Sequence, residues 1–284
     1  MLNDVTFGQY YPVKSFAHRA DPRIKLLALI AYIVALFLAK NFYGMLLCVI
    51  VLTAAIIASR VPFFRILRSI KAILFLLVFT AVLNLFFHGG EHVLLPIGGI
   101  VKITLEGVIF TIFFVLRLFF LVMGSALLTL TTTPVELTDG IENLLTPLKW
   151  VRFPVHELAL IMSIALRFIP TLIDETNRII SAQKARGADF ESGNIFKRIK
   201  AIVPILIPLL ISAFRRAEEL GDAMDARCYS GSKNRTKYKK LKFGWRDLII
   251  VLLFAGMITG VVLLNIHAYA DVIIPQINEY IWLS

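Results

Sequence analysis

The chain has 284 residues, of which 58% are hydrophobic, and it carries a formal net charge of +11. Soluble domains are about 45–50% apolar, and several apolar runs here approach bilayer thickness, so an ordinary soluble protein is excluded. The positive charge lies between the apolar runs, which is typical of cytoplasmic loops and argues against nucleic-acid binding. Composition therefore predicts an all-α membrane protein that makes several passes through a lipid bilayer.

The first two apolar runs, residues 24–39 and 42–58, are each short for a span of about 20 residues. We expect two short helices in a hairpin with its turn at Lys40 and Asn41; a single long, kinked helix is the alternative. Basic residues flank both ends of the hairpin, and residues 60–71 are predicted to form a dense basic loop. The excess of basic residues assigns both ends, and with them the N-terminus, to the cytoplasm.

The chain is then expected to cross outward over residues 72–87 and back over residues 105–130. Turn residues between these runs predict a non-cytoplasmic loop at residues 88–99. Arg117 lies in the middle of the second run, and a charge within a span is a functional candidate by default. The alternative is a structural role, in which Arg117 pairs within the bundle, for example near Asn84, or reaches the interface. Residues 1–130 are accordingly assigned to an N-terminal helix bundle.

Residues 131–245 are predicted to form a cytoplasmic region of long amphipathic helices. Thr133 is a candidate N-cap, with Glu136 in the first turn of the helix that follows. Residues 156–184 and 195–226 each combine an apolar stripe at helical spacing with a charged end. Pro204 and Pro208 are expected to kink the second helix, and its charged half offers an Arg215–Glu219 pair at i,i+4. Residues 246–284 are assigned to a last span, at 248–264, and a non-cytoplasmic tail, for a total of about five spans.

The two amphipathic segments end alike. The first reads Ala182-Gln-Lys-Ala-Arg-Gly187 and the second Ala223-Met-Asp-Ala-Arg-Cys228. A glycine suits a helix C-terminus that closes in a left-handed residue. An arginine in the last turn interacts favourably with the negative end of the helix dipole. The similarity of the two ends could therefore be a coincidence between two ordinary helix C-termini. A smooth alanine surface beside an arginine also suits a helix end that docks in a groove, where the guanidinium reaches a carboxylate or backbone carbonyls.

The paired motif, together with a membrane bundle, coupling helices and a final span, resembles the transmembrane T component (EcfT family) of energy-coupling factor transporters over nearly the whole chain. The resemblance implies a non-catalytic subunit of an ABC importer for vitamins or trace nutrients in a prokaryotic cell membrane. It implies three partners: two ABC-type ATPases, which bind ATP and Mg, and a membrane-embedded substrate-binding S component. No cofactor is expected in this chain, which lacks a phosphate-binding Gly-x-x-x-x-Gly-Lys-Ser/Thr loop.

Carried onto this sequence, the resemblance assigns two sets of residues. The ATPase-coupling contacts are Ala185, Arg186 and Gly187 in the first motif and Ala226, Arg227 and Cys228 in the second. The apolar helix faces that would hold the S component are represented by Leu158, Met162, Ala165, Ile169, Leu172, Ile202, Leu206 and Leu210.

Cys228 departs from the glycine of the family motif. A position with positive φ tolerates cysteine poorly, so we expect the second helix to end differently, with Gly231 as its terminator. The unequal motifs also favour two non-identical ATPases.

Two other classes of function are weighed against this one. An intramembrane metalloprotease would need a His-Glu-x-x-His motif, which the sequence lacks. His88 and His92 are interpreted as part of a solvated loop in preference to a metal site. A self-contained secondary transporter would need inverted repeats and polar groups at mid-membrane, for which Asn84 and Arg117 are the strongest candidates.

Overall fold

The computed structural model describes residues 10–71, 73–87, 93–97, 101–151, 153–188, 195–229, 231 and 243–266. Its α-helices are α1 (Pro22–Leu38), α2 (Phe42–Ser59), α3 (Phe63–Lys71), α4 (Leu74–Phe87), α5 (Leu105–Thr131), α6 (Pro134–Leu144), α7 (Val155–Ala185), α8 (Ile195–Asp225) and α9 (Trp245–Ile266). A 3-10 helix covers Thr146–Val151, and strands β1 (Val93–Ile97) and β2 (Val101–Thr104) pair antiparallel. The predicted all-α class is confirmed, with this short hairpin between α4 and α5 as the exception.

Among the described residues, four helices, namely α2, α5, α7 and α9, are long and apolar enough to cross a membrane, and α3 with α4 adds a fifth if that pair, bent by 63°, is one span. The chain is therefore a multi-pass membrane protein. The number of candidate spans agrees with the expected five, but the helices that make up the set differ from those predicted. The 17-residue α1 is shorter than this group, and α7, which we expected in the cytoplasm, meets the same criterion of length and composition.

The basic stretch predicted as a loop is mostly a helix, so that prediction is wrong. Helix α3 turns Ile66 and Ile70 into the core, whereas Phe64, Arg68 and Lys71 lie exposed. Arg65 stacks over the ring of Tyr11 at 4.5 Å. The charge density suggested a loop, but apolar residues four positions apart give this segment a buried helical face.

The described residues divide into two compact units, one between positions 141 and 231 and the other comprising those up to position 140 together with 243–266. The second unit is a helix bundle whose buried core joins α1, α2, α3, α5 and α9. Close packing depends on small residues: a Cβ at Gly124 would lie 2.7 Å from the ring of Tyr32, which donates its hydroxyl to the Phe120 carbonyl.

One end of this bundle is tied together where α1 and α9 begin and α5 ends. The Asp247 carboxylate accepts from the backbone N–H of Asp21 at 2.8 Å and of Gly244 at 2.8 Å. The Lys25 ammonium donates to the carbonyls of His18 at 3.1 Å and Thr131 at 3.0 Å. Buried backbone groups at helix ends need such partners, so these contacts fix the three helix ends beside one another.

The opposite end carries the turn of the α1–α2 hairpin, which confirms two helices in preference to one kinked helix. Asn41 donates its amide to the Leu264 carbonyl at 3.0 Å, and Asn265 donates to the Leu38 carbonyl at 2.6 Å. The turn is therefore fastened to the end of α9.

Helix α6 begins with the predicted cap. The backbone N–H of Glu136 donates to the Thr133 hydroxyl, and the backbone N–H of Thr133 donates to the Glu136 carboxylate, each at 3.3 Å. This reciprocal pair is a capping box, and it confirms Thr133 as the N-cap.

Candidate functional site

Helices α7 and α8 are the two long amphipathic helices that the sequence predicts, and each has 31 residues. Both continue through internal prolines, at Pro170 in α7 and at Pro204 and Pro208 in α8. The kink expected at the α8 prolines stays a prediction. The two helices contact each other within their unit, so both arginine motifs belong to one packed helix pair.

The first motif closes α7 in a Schellman turn. The backbone N–H of Gly187 donates to the Lys184 carbonyl at 3.0 Å, and that of Ala188 donates to the Gln183 carbonyl at 3.0 Å. Gly187 has a φ of 84°, the left-handed conformation that this turn requires. Arg186 is therefore the C-cap of α7, directly before the left-handed residue that ends the helix.

The second motif closes α8 in the same way. The backbone N–H of Cys228 donates to the Asp225 carbonyl at 2.9 Å, and that of Tyr229 donates to the Met224 carbonyl at 3.0 Å. Cys228 itself adopts the left-handed conformation, with a φ of 56°. The expectation that α8 ends differently, with Gly231 as its terminator, is wrong. Hydrogen bonds to two otherwise orphaned carbonyls offset the steric cost of a Cβ at positive φ.

The two motifs therefore place their arginines at equivalent positions. Arg186 and Arg227 are both exposed, as are the alanines that precede them and Gly187 and Cys228 that follow. Neither arginine forms an ion pair within the part of the chain that the structure describes. Each helix end thus presents a guanidinium on a smooth surface of small residues, free to donate to an acceptor outside the chain.

The predicted apolar faces lie open on both helices. On α7 the exposed fractions are 41% for Leu158, 46% for Met162 and 37% for Ile169. On α8 they are 45% for Ile202, 57% for Leu206 and 58% for Leu210. Ala165 is also exposed and Leu172 is half-buried. An apolar stripe of this extent on a helix pair is typical of a surface that is covered by lipid or by another protein.

An ion pair that the sequence did not predict links the two helices. Arg216 donates from Nη2 to Glu175 Oε2 at 2.7 Å, and its Nε lies 3.5 Å from the Ser212 hydroxyl. The expected pair between Arg215 and Glu219 does not form. Spacing along one helix pointed to a local partner, whereas the observed partner is 41 positions away and follows only from how α7 and α8 cross.

Arg117 has a structural role within the bundle. Its Nη2 donates to the Ala39 carbonyl at 2.9 Å, and its guanidinium lies 5.8 Å from the centre of the Phe37 ring. Ala39 is the C-cap of α1, so Arg117 satisfies a helix-end carbonyl and places a positive charge at the negative end of a helix dipole. Asn84 donates its amide to Thr80 in its own helix at 3.0 Å. Arg117 is central in α5, yet it lies at the level of the α1–α2 turn.

Among the described residues, no group of three or more His, Cys, Asp or Glu side chains is placed to hold a metal ion. His88 and His92, weighed above as a metal pair, lie outside the described residues, as do the non-cytoplasmic tail and the basic linker before α9.

Comparison with known proteins relates the chain to one group over most of its length. Residues 13–238 match the family described as CbiQ, cobalt transport protein. The chain is 51% identical to an energy-coupling factor transporter transmembrane protein EcfT of Clostridium kluyveri, over 89% of this chain and 93% of that protein. It is 46% identical to the EcfT of Ruminiclostridium cellulolyticum, over 93% and 98%, and 44% identical to that of Bacillus subtilis, over 89% and 95%.

Proposed function

This chain belongs to the family of energy-coupling factor transporter transmembrane proteins, and from that premise we propose that it is the coupling subunit of an ATP-driven importer of vitamins or trace nutrients. It transmits the motion of two ABC-type ATPase subunits to a membrane-embedded S component, which selects the nutrient. The chain performs no chemistry; ATP and Mg are bound by the ATPases. The observation that supports this most strongly is the pair of equivalent, exposed arginine ends on one helix pair.

Each arginine end contacts one ATPase subunit. The contact residues are Ala185, Arg186 and Gly187 on α7 and Ala226, Arg227 and Cys228 on α8. A guanidinium offers five N–H donors in a rigid fork, and a neighbouring surface of small side chains lets a groove close around the helix end. Helix-end carbonyls add negative partial charge beside each arginine.

The surroundings of the two arginines favour two different ATPases. Both ends share one backbone geometry, so the difference lies in the side chains. Lys184 stands two positions before Arg186, whereas Asp225 stands two positions before Arg227, and both are exposed. A groove that complements a lysine next to the arginine opposes an aspartate at the same place. Purifying the complex and counting its distinct ATPase chains tests this: two different chains support it, and two copies of one chain contradict it.

The apolar faces of α7 and α8 grip the S component. The S component is itself a membrane protein, and an apolar helix pair offers it a surface without a desolvation cost for polar groups. When nucleotide binding closes the ATPases, the two arginine ends follow them and the angle between α7 and α8 changes. That change alters the apolar surface and therefore the hold on the S component.

The bundle is oriented with its basic end in the cytoplasm. The contacts at Asp247 and Lys25 bring the starts of α1 and α9 and the end of α5 together, and Arg19, Arg23, Arg60, Arg65 and Arg246 occur in the neighbouring segments. The positive-inside rule assigns that end to the cytoplasm. The protein thus sits in the cell membrane with its N-terminus inside.

Site-directed photocrosslinking tests both contacts in native membranes. A photoreactive residue at Ala185 or Ala226 is expected to crosslink to an ATPase, and one at Met162 or Leu206 to a small membrane protein. The matched control is Glu218, which is exposed on α8 and belongs to neither set of proposed contact residues. Crosslinks to ATPase from Glu218 as strong as those from Ala226 would contradict the assignment of the arginine end.

A further inference from the structure

The helix bundle contains a groove to which the proposed transport function assigns no role. It has a volume of about 310 Å³ and lies among α1, α2, α5 and α9 with Phe16 at one side. This volume falls at the lower end of the range for ligand pockets. Ala55, Ala58, Leu127 and Tyr32 contribute to its walls, so most of the lining is small or apolar.

The groove has an open side made of membrane-facing residues. Ala54 on α2 is exposed, and on α9 the exposed fractions are 43% for Ile249 and 40% for Leu253. Helices α2, α5 and α9 are candidate spans, so the medium at this opening is lipid acyl chains. A narrow apolar groove open to a bilayer accepts an acyl chain at little cost, since both surfaces are apolar.

Lys25 gives the groove a polar end. Its side chain lines the cavity, and the residue is only 8% exposed. An ammonium has three N–H donors, and two of them serve the carbonyls of His18 and Thr131. No carboxylate lies within ion-pair distance of Lys25 among the described residues; Asp21, Asp247 and Glu136 attract it from further away.

More positive charge lies at the same end. Arg246 stacks over the ring of Phe16, a lining residue, at 5.9 Å. Arg60 is the C-cap of α2, two positions after the lining residue Ala58, and is exposed. An apolar groove that ends in a buried ammonium and a basic rim complements an amphipathic anion.

We propose that this groove binds one anionic phospholipid of the bilayer, whose acyl chain lies against Ala55 and Ala58 and whose phosphate lies at the end marked by Lys25 and Arg246. The lipid fills the space among α1, α2, α5 and α9, at the end where Asp247 ties α9 to the start of α1. In the orientation proposed above, this end faces the cytoplasmic leaflet, which carries anionic lipid. The site is independent of the contacts with ATPase and S component.

Native mass spectrometry of the full chain in detergent tests the proposal, with equimolar phosphatidylglycerol and phosphatidylcholine of identical acyl chains. We expect a single retained lipid, with phosphatidylglycerol favoured by about five- to thirtyfold, as expected for one or two charges near a headgroup. Equal retention of the two lipids, or no retained lipid, would overturn the proposal.

Three variants locate the lipid. Ala55→Phe fills the groove and is expected to remove the adduct, whereas Thr53→Phe adds the same ring to an exposed position of α2 and is expected to keep it. Lys25→Met is expected to remove the preference for phosphatidylglycerol; if that variant does not fold, Arg60→Gln with Arg246→Gln replaces it. Retention of the adduct by Ala55→Phe, or an unchanged preference in the charge variants, would place the lipid elsewhere.

Discussion

Gly187 and Cys228 occupy the same position in two matching helix ends, with φ angles of 84° and 56°. A Cβ in the left-handed region costs roughly 1–2 kcal/mol, so the second end tolerates a strain that the first avoids. Retention of the geometry despite the cysteine indicates that the position of the arginine just before this residue depends on the complete turn, and not on glycine alone.

Cys228→Gly is expected to stabilise the end of α8 by about 1 kcal/mol, because it removes the Cβ strain and keeps both backbone hydrogen bonds. Amide hydrogen exchange of Tyr229 measures this directly, since that amide donates to the Met224 carbonyl. Exchange should slow severalfold. The reciprocal change, Gly187→Cys, should speed exchange at Ala188. Unchanged exchange in both variants would mean that a Cβ causes no strain at either position.

Removing the Arg117 guanidinium should destabilise the bundle. Arg117→Met leaves the Ala39 carbonyl without this donor, and a buried unsatisfied acceptor costs about 1–3 kcal/mol. Thermal unfolding in detergent measures the loss. Thr259→Val on α9 is the control, because the Thr259 hydroxyl is exposed and donates to the Ala255 carbonyl of its own helix. An equal and small effect of both variants would contradict the structural role of Arg117.

The Glu175–Arg216 pair should matter more for coupling than for stability. Both side chains are partly exposed, at 24% and 32%, so the pair contributes less than about 1 kcal/mol to folding. Arg216→Glu should nevertheless reduce ATP-driven uptake by disturbing the crossing of α7 and α8. Combining it with Glu175→Arg should restore uptake.

Arg215→Glu is the matched control for that experiment, since Arg215 is exposed on the same helix and forms no ion pair with any residue that the structure describes. It should leave uptake near the wild-type level. If Arg215→Glu and Arg216→Glu reduce uptake equally, the loss of uptake results from the charge on α8 and not from the Glu175–Arg216 pair.

His18 predicts a pH dependence of stability. Its Nε2 lies 2.9 Å from the Tyr11 carbonyl and its Nδ1 lies 2.7 Å from the Ser15 hydroxyl; in the neutral ring Nε2–H donates to Tyr11 and Nδ1 accepts from Ser15. Burial lowers the pKa of His18 below its usual 6.5. The unfolded chain therefore binds the proton first, and stability falls as pH drops through the unfolded pKa.

Unfolding temperatures at pH 7.5 and 5.5 check this prediction. The wild-type chain should lose more stability between them than His18→Gln, because the variant lacks this titration while the other groups are unchanged. Equal losses in both proteins would mean that His18 is not held neutral.

The sequence predicted the bounds of α7 and α8 almost to the residue, because an apolar stripe at helical spacing over many turns is compatible only with a long helix. It also predicted the Thr133–Glu136 capping box, whose hydrogen bonds are local. The Glu175–Arg216 pair and the Arg117–Ala39 bond were not predictable, since each joins elements whose crossing depends on the whole packing. The prediction at Cys228 is wrong for the opposite reason: two hydrogen bonds that the turn supplies outweigh the conformational preference of a single residue.

The central claim, that the two arginine ends bind the ATPases, is tested most directly by co-purification from native membranes. The tagged wild-type chain is compared with the Arg186→Glu plus Arg227→Glu variant and with an Arg178→Glu plus Arg215→Glu control. The control makes the same charge change at exposed positions of the same helices. Membrane levels of all three are equalised by blot. We predict that ATPase subunits accompany the wild type and the control and are lost from the first variant. ATPase retained by the first variant, or absent from the wild type, would contradict the account.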